Sequence, residues 1–140
     1  LLIQIDVEYT SDDVIDYVLH YAYDEEERVS ELGMDMDADG EIDTSYHYVY
    51  DTDAQLLLQA YDQDHDGIMS WEYRYTYDEW GHISTQWYDS DGNGLANLTA
   101  SYTWDAYDRI LYYETDNNGD GQADYITQLG LECWDGLEEE

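Results

Sequence analysis

Lysine is absent from the 140 residues, and the basic complement is three arginines (Arg28, Arg74 and Arg109) against 36 aspartates and glutamates. A formal net charge of −33 argues against nucleic acid and anionic membranes as partners, which it would repel, and in favour of cations. Cysteine is nearly missing: Cys133 stands alone, so no internal disulfide is possible and the redox compartment stays unread. No apolar run approaches membrane-span length, which excludes insertion by a helix. No basic segment leads into an apolar one as in a signal peptide, so an exported protein would be represented here by its mature part or an excised piece. Nothing resembles a nucleophile with its base, and acid runs such as Glu25 to Glu27 lack the apolar pocket a glycosidase pair needs, so no enzyme is expected.

What the chain has instead is a repeated acidic loop. In Asp35-Met36-Asp37-Ala38-Asp39-Gly40-Glu41-Ile42-Asp43, oxygen ligands stand on alternate residues and a glycine takes the sixth place. The pattern recurs in Asp62-Gln63-Asp64-His65-Asp66-Gly67, Asp89-Ser90-Asp91-Gly92-Asn93-Gly94 and Asp116-Asn117-Asn118-Gly119-Asp120-Gly121. The four loops, 35–43, 62–70, 89–97 and 116–124, begin 27 residues apart without insertion. A fixed period of this length marks stacked supersecondary units, so residues 1–140 are read as a single repeat domain. A halophile's acidic coat would scatter its carboxylates, whereas many of these keep one phase of the repeat.

Between loops, aromatic residues alternate with short or polar ones, as in Tyr46-His47-Tyr48-Val49-Tyr50 and Tyr73-Arg74-Tyr75-Thr76-Tyr77, the signature of a half-buried strand. Each such strand ends at an aspartate (Asp24, Asp51, Asp78, Asp105), followed by a short turn and a second strand that begins apolar at Val29, Leu56, Ile83 or Ile110. Connections this short join antiparallel neighbours and leave no room for a parallel crossover. The expected fold is all-β: an antiparallel β-meander of 27-residue hairpin repeats, about ten strands, with the acidic loops along one edge. Its curvature stays open, because consecutive Leu56, Leu57 and Leu58 put apolar residues on both faces of the second strands. A helical alternative reads residues 25–34 and 54–61 as short helices before EF-hand loops. Against it, the twelfth places hold Tyr46, Tyr73, Ala100 and Thr127 rather than a bidentate Glu.

Residues 8–16 occupy the phase of a further, degenerate loop, without the glycine or a carboxylate at the third place. The chain opens on a second strand, residues 1–7, whose counterpart is wanting beyond 126–134. That phase leads to the expectation of head-to-tail pairing between copies, as in donor-strand addition, giving a filament.

Hard cations such as Ca²⁺ take six to eight oxygens, which a tight loop supplies from side chains at places one, three and five and a carbonyl at seven. The candidate ligands are Asp35, Asp37, Asp39, the carbonyl of Glu41 and Asp43; Asp62, Asp64, Asp66, the carbonyl of Ile68 and Ser70; Asp89, Asp91, Asn93, the carbonyl of Leu95 and Asn97; and Asp116, Asn118, Asp120, the carbonyl of Gln122 and Asp124. Asp43 and Asp124 are the natural bidentate closers, and the other two sites must borrow water or a neighbour's carboxylate. About four calcium ions are expected, bringing the charge only to −33 + 8 = −25. Zinc and copper are disfavoured for want of imidazole and thiolate. His65, at a non-ligand place, is expected to face solvent. Asn97-Leu98-Thr99 fits a glycosylation sequon, though Asn97 is better explained as a loop residue. Columns of rings, Tyr21, Tyr48, Tyr75 and Tyr102, and Tyr23, Tyr50, Tyr77 and Trp104, are read as cross-strand packing, with glycan stacking or tyrosine cross-linking as alternatives.

The loop pattern Asp-x-Asp-x-Asp-Gly-x-x-Asp resembles the calcium loops of integrin-type FG-GAP repeats, with related loops in thrombospondin type 3 repeats and dockerins. The segments Tyr75-Thr76-Tyr77-Asp78-Glu79-Trp80-Gly81 and Tyr102-Thr103-Trp104-Asp105-Ala106-Tyr107-Asp108-Arg109 resemble the YD repeats of bacterial RHS proteins. Together they resemble the alternating arrays of bacterial surface proteins; five rows are too few for an RHS shell. The expectation is an extracellular or cell-surface, calcium-stabilised β-repeat with a structural or adhesive role. A soluble calcium buffer or mineral-nucleating protein and a glycan-binding module are the alternatives.

Overall fold

The alternating segments do form strands. In a computed structural model of the chain, which describes residues 1–8 and 14–129, the elements are β1 (Leu2–Val7), β2 (Tyr17–Tyr23), β3 (Val29–Asp35), β4 (Thr44–Tyr50), β5 (Leu56–Asp62), β6 (Trp71–Tyr77), β7 (Ile83–Asp89), β8 (Leu98–Trp104), β9 (Ile110–Asp116) and β10 (Tyr125–Gln128). They lie in sequence order in one open antiparallel sheet. No helix occurs among the described residues, and the stretches that also suited EF-hand helices form turns, β3 and β5. Residues 9–13 of the degenerate loop, residues 130–134 of the expected assembly strand and Cys133 lie outside the described residues.

The strand-ending aspartates make the hairpin turns. Asp24 Oδ1 accepts the amides of Glu26 at 3.0 Å and Arg28 at 2.8 Å. Asp51, Asp78 and Asp105 repeat this on the amides two and four residues ahead. An aspartate competes well for such amides because its short side chain reaches the backbone two residues on. The fourth turn position is left-handed at Glu27, Ala54, Gly81 and Asp108, with φ between 60° and 92°.

Each turn is followed by a bulge. Tyr23 pairs with Val29 while Ala22 pairs with Glu31, so Ser30 is an extra residue, and Leu57, Ser84 and Leu111 are extra in the same way. One inserted residue resets the alternation: Leu56 pairs with Tyr50 on the face of the rings and Leu58 with Val49 on the opposite face, with Leu57 the extra residue between them.

Strand pairing then sorts the side chains. Tyr46 faces Tyr61, Tyr73 faces Tyr88 and Tyr102 faces Tyr113 on one side of the sheet, whereas Ser45 faces Asp62 and Glu72 faces Asp89 on the other. The rings touch as Tyr46–Tyr61 at 4.8 Å between centroids, Tyr73–Tyr88 at 4.2 Å and Tyr102–Tyr113 at 5.2 Å. The columns expected from the repeat do not stack directly. Residues at one phase are two strands, about 9.5 Å, apart and offset along the strand: Tyr21, Tyr48 and Tyr75 pair with Leu32, Gln59 and Gln86, which pair in turn with Tyr46, Tyr73 and Ala100. The second column reaches back instead: the Tyr77 hydroxyl donates to the Leu56 carbonyl and Trp104 Nε1 to the Ile83 carbonyl, both at 2.8 Å.

Successive hairpins are also clasped along the turn edge by the residue after each of the first three left-handed positions. Arg28 Nη1 donates to the Asp51 carbonyl at 2.7 Å and Gln55 Nε2 to the Gly81 carbonyl at 3.0 Å. His82 lies between Asp78 Oδ2 at 3.0 Å and Asp108 Oδ1 at 2.9 Å, stacked on Trp104. Hydrogen bonds to the carboxylates of Asp78 and then Asp108 hold the His82 pKa above its ordinary value of 6.5. A raised folded pKa means the clasp contributes fully below about 6.5 and fades as pH rises through the folded value. Melting of the wild type should therefore fall between neutral and mildly alkaline pH relative to His82→Gln, whose melting curve should lack that step. Parallel pH profiles for the two proteins would refute the assignment.

Candidate metal centres

Among the described residues, most of the largest fully buried side chains are acids. Asp35, Asp62 and Asp89 are each 1% exposed and Asp116 is 7%, while the buried apolar set among the described residues is Val18, Ala60 and Ala100. Each of these aspartates is the last residue of its strand and the first of its loop. Burying a carboxylate is costly unless its oxygens are hydrogen-bonded, and here the loop folds back to satisfy them.

Asp35 Oδ2 accepts the amide of Gly40 at 2.8 Å, Asp62 Oδ2 that of Gly67 at 2.7 Å, Asp89 Oδ2 that of Gly94 at 2.7 Å and Asp116 Oδ2 that of Gly121 at 2.8 Å. The other oxygen takes amides from the residues between, such as Gly92 on Asp89 Oδ1 at 2.9 Å. Burial works against the charged form of Asp62, Asp89 and Asp116, but their amide hydrogen bonds together outweigh it and hold all three below the ordinary 3.8. These carboxylates are anions at neutral pH, and their contribution to stability is present above about 3.8 and lost as pH falls through the lower folded values.

The remaining places follow one scheme. The place-five side chains Asp39, Asp66, Asn93 and Asp120 each accept the amide two residues on, at 2.8–2.9 Å. Place nine closes the loop onto the amide of place two: Asp43 Oδ2 on Met36 at 2.6 Å, Ser70 Oγ on Gln63 at 3.2 Å, Asn97 Oδ1 on Ser90 at 2.6 Å and Asp124 Oδ2 on Asn117 at 2.8 Å. Asp43 and Asp124, expected as bidentate closers, thus keep Oδ1 clear of that bond. The third and fourth loops share this backbone arrangement but substitute Asn93 and Asn118 for a carboxylate.

In the first two loops the arrangement gathers three carboxylates. One oxygen each from Asp35, Asp37 and Asp39 lie within 4.8 Å of one another, and so do those of Asp62, Asp64 and Asp66. Two oxygens on one calcium stand no more than about 5 Å apart, twice the bond of about 2.3–2.6 Å. Both triads could therefore hold a metal ion.

Several features lie beyond the loop pattern. Place four is left-handed as well as place six, at Ala38 (φ 58°), His65 (φ 50°), Gly92 (φ 67°) and Gly119 (φ 71°). Glycine at place four in two loops was the readable signal. His65 is exposed, as expected, but its ring is not idle: Nδ1 lies 2.9 Å from Oγ of Ser45, which is fully buried and also contacts His47 Nε2 at 2.9 Å. Glu72 is 7% exposed and pairs directly across from Asp89, with Arg74 Nη2 on its Oε1 at 2.7 Å. It is the acidic side chain across the strand from the head of the acid-poor third loop, and its ion-pair partner is Arg74. Above the first loop, Ile42 at place eight fills the space over Gly33, where an added Cβ would come within 2.7 Å of Ile42 Cδ1.

No protein-family model matches the chain. No curated protein matches its sequence.

Proposed function

We propose that this chain is an extracellular or cell-surface β-repeat whose fold is stabilised by calcium at its four acidic loops, with a structural or adhesive role. The observation that carries the reading is the pair of Asp triads whose oxygens converge within 4.8 Å. Two carboxylate charges at that separation repel by about 1 kcal/mol in water and about 3–4 kcal/mol at an effective dielectric near 20. A divalent cation between them converts the repulsion into attraction. Oxygen-only donors with amide-braced aspartates suit a hard cation rather than zinc or copper. The resemblance to calcium loops of extracellular repeats supports the same reading, and loops of extracellular modules hold calcium at about 10⁻⁴–10⁻³ M.

Affinity should follow the carboxylates at places one, three, five and nine: four in the 35 loop, three each in the 62 and 116 loops, two in the 89 loop. Calorimetric titration with calcium, combined with Asp37→Asn, Asp64→Asn, Asp91→Asn and Asp120→Asn variants taken one at a time, assigns the sites. Loss of the tightest phase in Asp37→Asn is the expected result. A tightest phase that disappears in Asp91→Asn instead would mean that the ligand scheme is wrong. A soluble buffer predicts calcium uptake with no change in sheet content, which circular dichroism recorded during the same titration would reveal.

A further inference from the structure

The sheet is charge-segregated. Asp6, Glu31, Glu72, Arg74 and Glu114 all project, with the buried loop aspartates, to one face. The register puts no charged strand residue on the other, which carries the rings of Tyr21, Tyr48, Tyr75, Tyr88 and Tyr102. In a chain of net charge −33, a whole face free of charge is not an accident of composition. Each strand contacts only its immediate neighbours, so no second layer covers that face among the described residues. Tyr48, Tyr75 and Tyr102 are half-buried by the rings and strands beside them alone.

We propose that the tyrosine face packs against the same face of a second copy, forming a two-layer β-sandwich with the charges on both outer surfaces. The area fits. Nine inter-strand spacings of about 4.8 Å give a length of about 43 Å, and a usable width of about 20 Å makes about 900 Å² per copy. The total of about 1,800 Å² lies within the roughly 1,200–2,000 Å² of a stable specific interface. The anatomy fits as well: the centre is uncharged, its rings interspersed with Leu32, Gln59, Gln86 and Ala100, whereas the turn-side rim carries the Arg28 guanidinium, 4.9 Å from the Tyr50 ring centroid, and His82 on Trp104. Identical faces related by a two-fold axis are self-complementary, and a tyrosine-rich face offers each hydroxyl a donor and acceptor of its own kind on the opposite copy. The like charges on the outer surfaces oppose the pairing, so added salt strengthens it.

Sedimentation velocity from low to high micromolar concentration, in calcium and moderate salt, tests this. The wild type should run as a dimer, and Val49→Lys, on the charged face, should match it. Tyr75→Lys places a charge in the middle of the interface and should weaken the dimer at least about thirtyfold. Since that variant could fail to fold, hydroxyl-radical footprinting of the unaltered chain gives a second readout. Tyr48, Tyr75 and Tyr102 should become protected as concentration rises while Tyr107, 77% exposed at a turn, does not. A wild type that stays monomeric with concentration-independent oxidation would overturn the proposal. So would a dimer that persists in folded Tyr75→Lys, or protection that arises only on adding an oligosaccharide.

Discussion

A chelator in excess should lower the melting temperature by on the order of 15 °C or more and reduce the β signal in circular dichroism. At a calcium concentration ten- to a hundredfold above the dissociation constant, each occupied loop stabilises the folded state by about 1.4–2.7 kcal/mol. Four loops would supply about 6–11 kcal/mol, comparable with the whole stability of a domain, and each kcal/mol moves the midpoint of a chain this size by about 3 °C. The effect is large because the sheet has so little else. Among the described residues its largest fully buried side chains are Asp35, Asp62, Asp89 and Ser45, so interior positions that would ordinarily be filled by leucine or valine are filled by three acids and a serine. Readdition of calcium should restore the signal, and magnesium, which demands a stricter octahedron, should restore less of it. An unchanged spectrum and melting curve after chelation would sink the calcium reading.

The second large effect concerns two glycines that look alike in sequence to several others. Gly92→Ala and Gly119→Ala should each cost about 3–4 kcal/mol, with a fall of about 10 °C in melting temperature. A Cβ added to Gly92 would stand 1.9 Å from the Met69 carbonyl oxygen, and one added to Gly119 would stand 2.1 Å from that of Ala96. These are backbone atoms of the preceding loop, so neither side can give without moving a repeat. The left-handed φ is the smaller part, because Ala38 and His65 adopt it at the equivalent place. Gly94→Ala is the internal comparison: its φ is +82° but an added Cβ meets nothing within 4 Å, so the cost should be the backbone strain alone, about 1–2 kcal/mol. Urea unfolding of the three variants in calcium measures the difference. Equal losses at 92 and 94 would mean that the loops are not stacked as closely as the structure places them.

What could be read from the residues was what is decided within five or so positions. An aspartate at place one, glycine at place six and an oxygen at place nine describe bonds such as Asp62 Oδ2 to the Gly67 amide, five residues away. The turn aspartates act over two and four residues. Because every such unit recurs at 27 residues without a slip, a meander of hairpins with loops on one edge followed from the sequence alone. The strand alternation placed the tyrosines of a first strand, such as Tyr46, Tyr48 and Tyr50, on one side in the same way.

Tertiary structure decided what depends on partners a repeat away. The bulge residues Ser30, Leu57, Ser84 and Leu111 have no common side-chain type, so only the register exposes them. The reach of Gln55 to Gly81, the contact of His65 with Ser45 and the near-touch of Gly92 on Met69 join residues 26, 20 and 23 apart. A pattern of local hydrogen bonds says nothing of which neighbouring strand faces which. The loops and hairpins were therefore determined by the sequence through short-range backbone capture. The single layer formed by the described residues, the gathering of the strands' charges on one face and the stacking of loop on loop were determined by strand register, which aligns repeats only once the sheet exists.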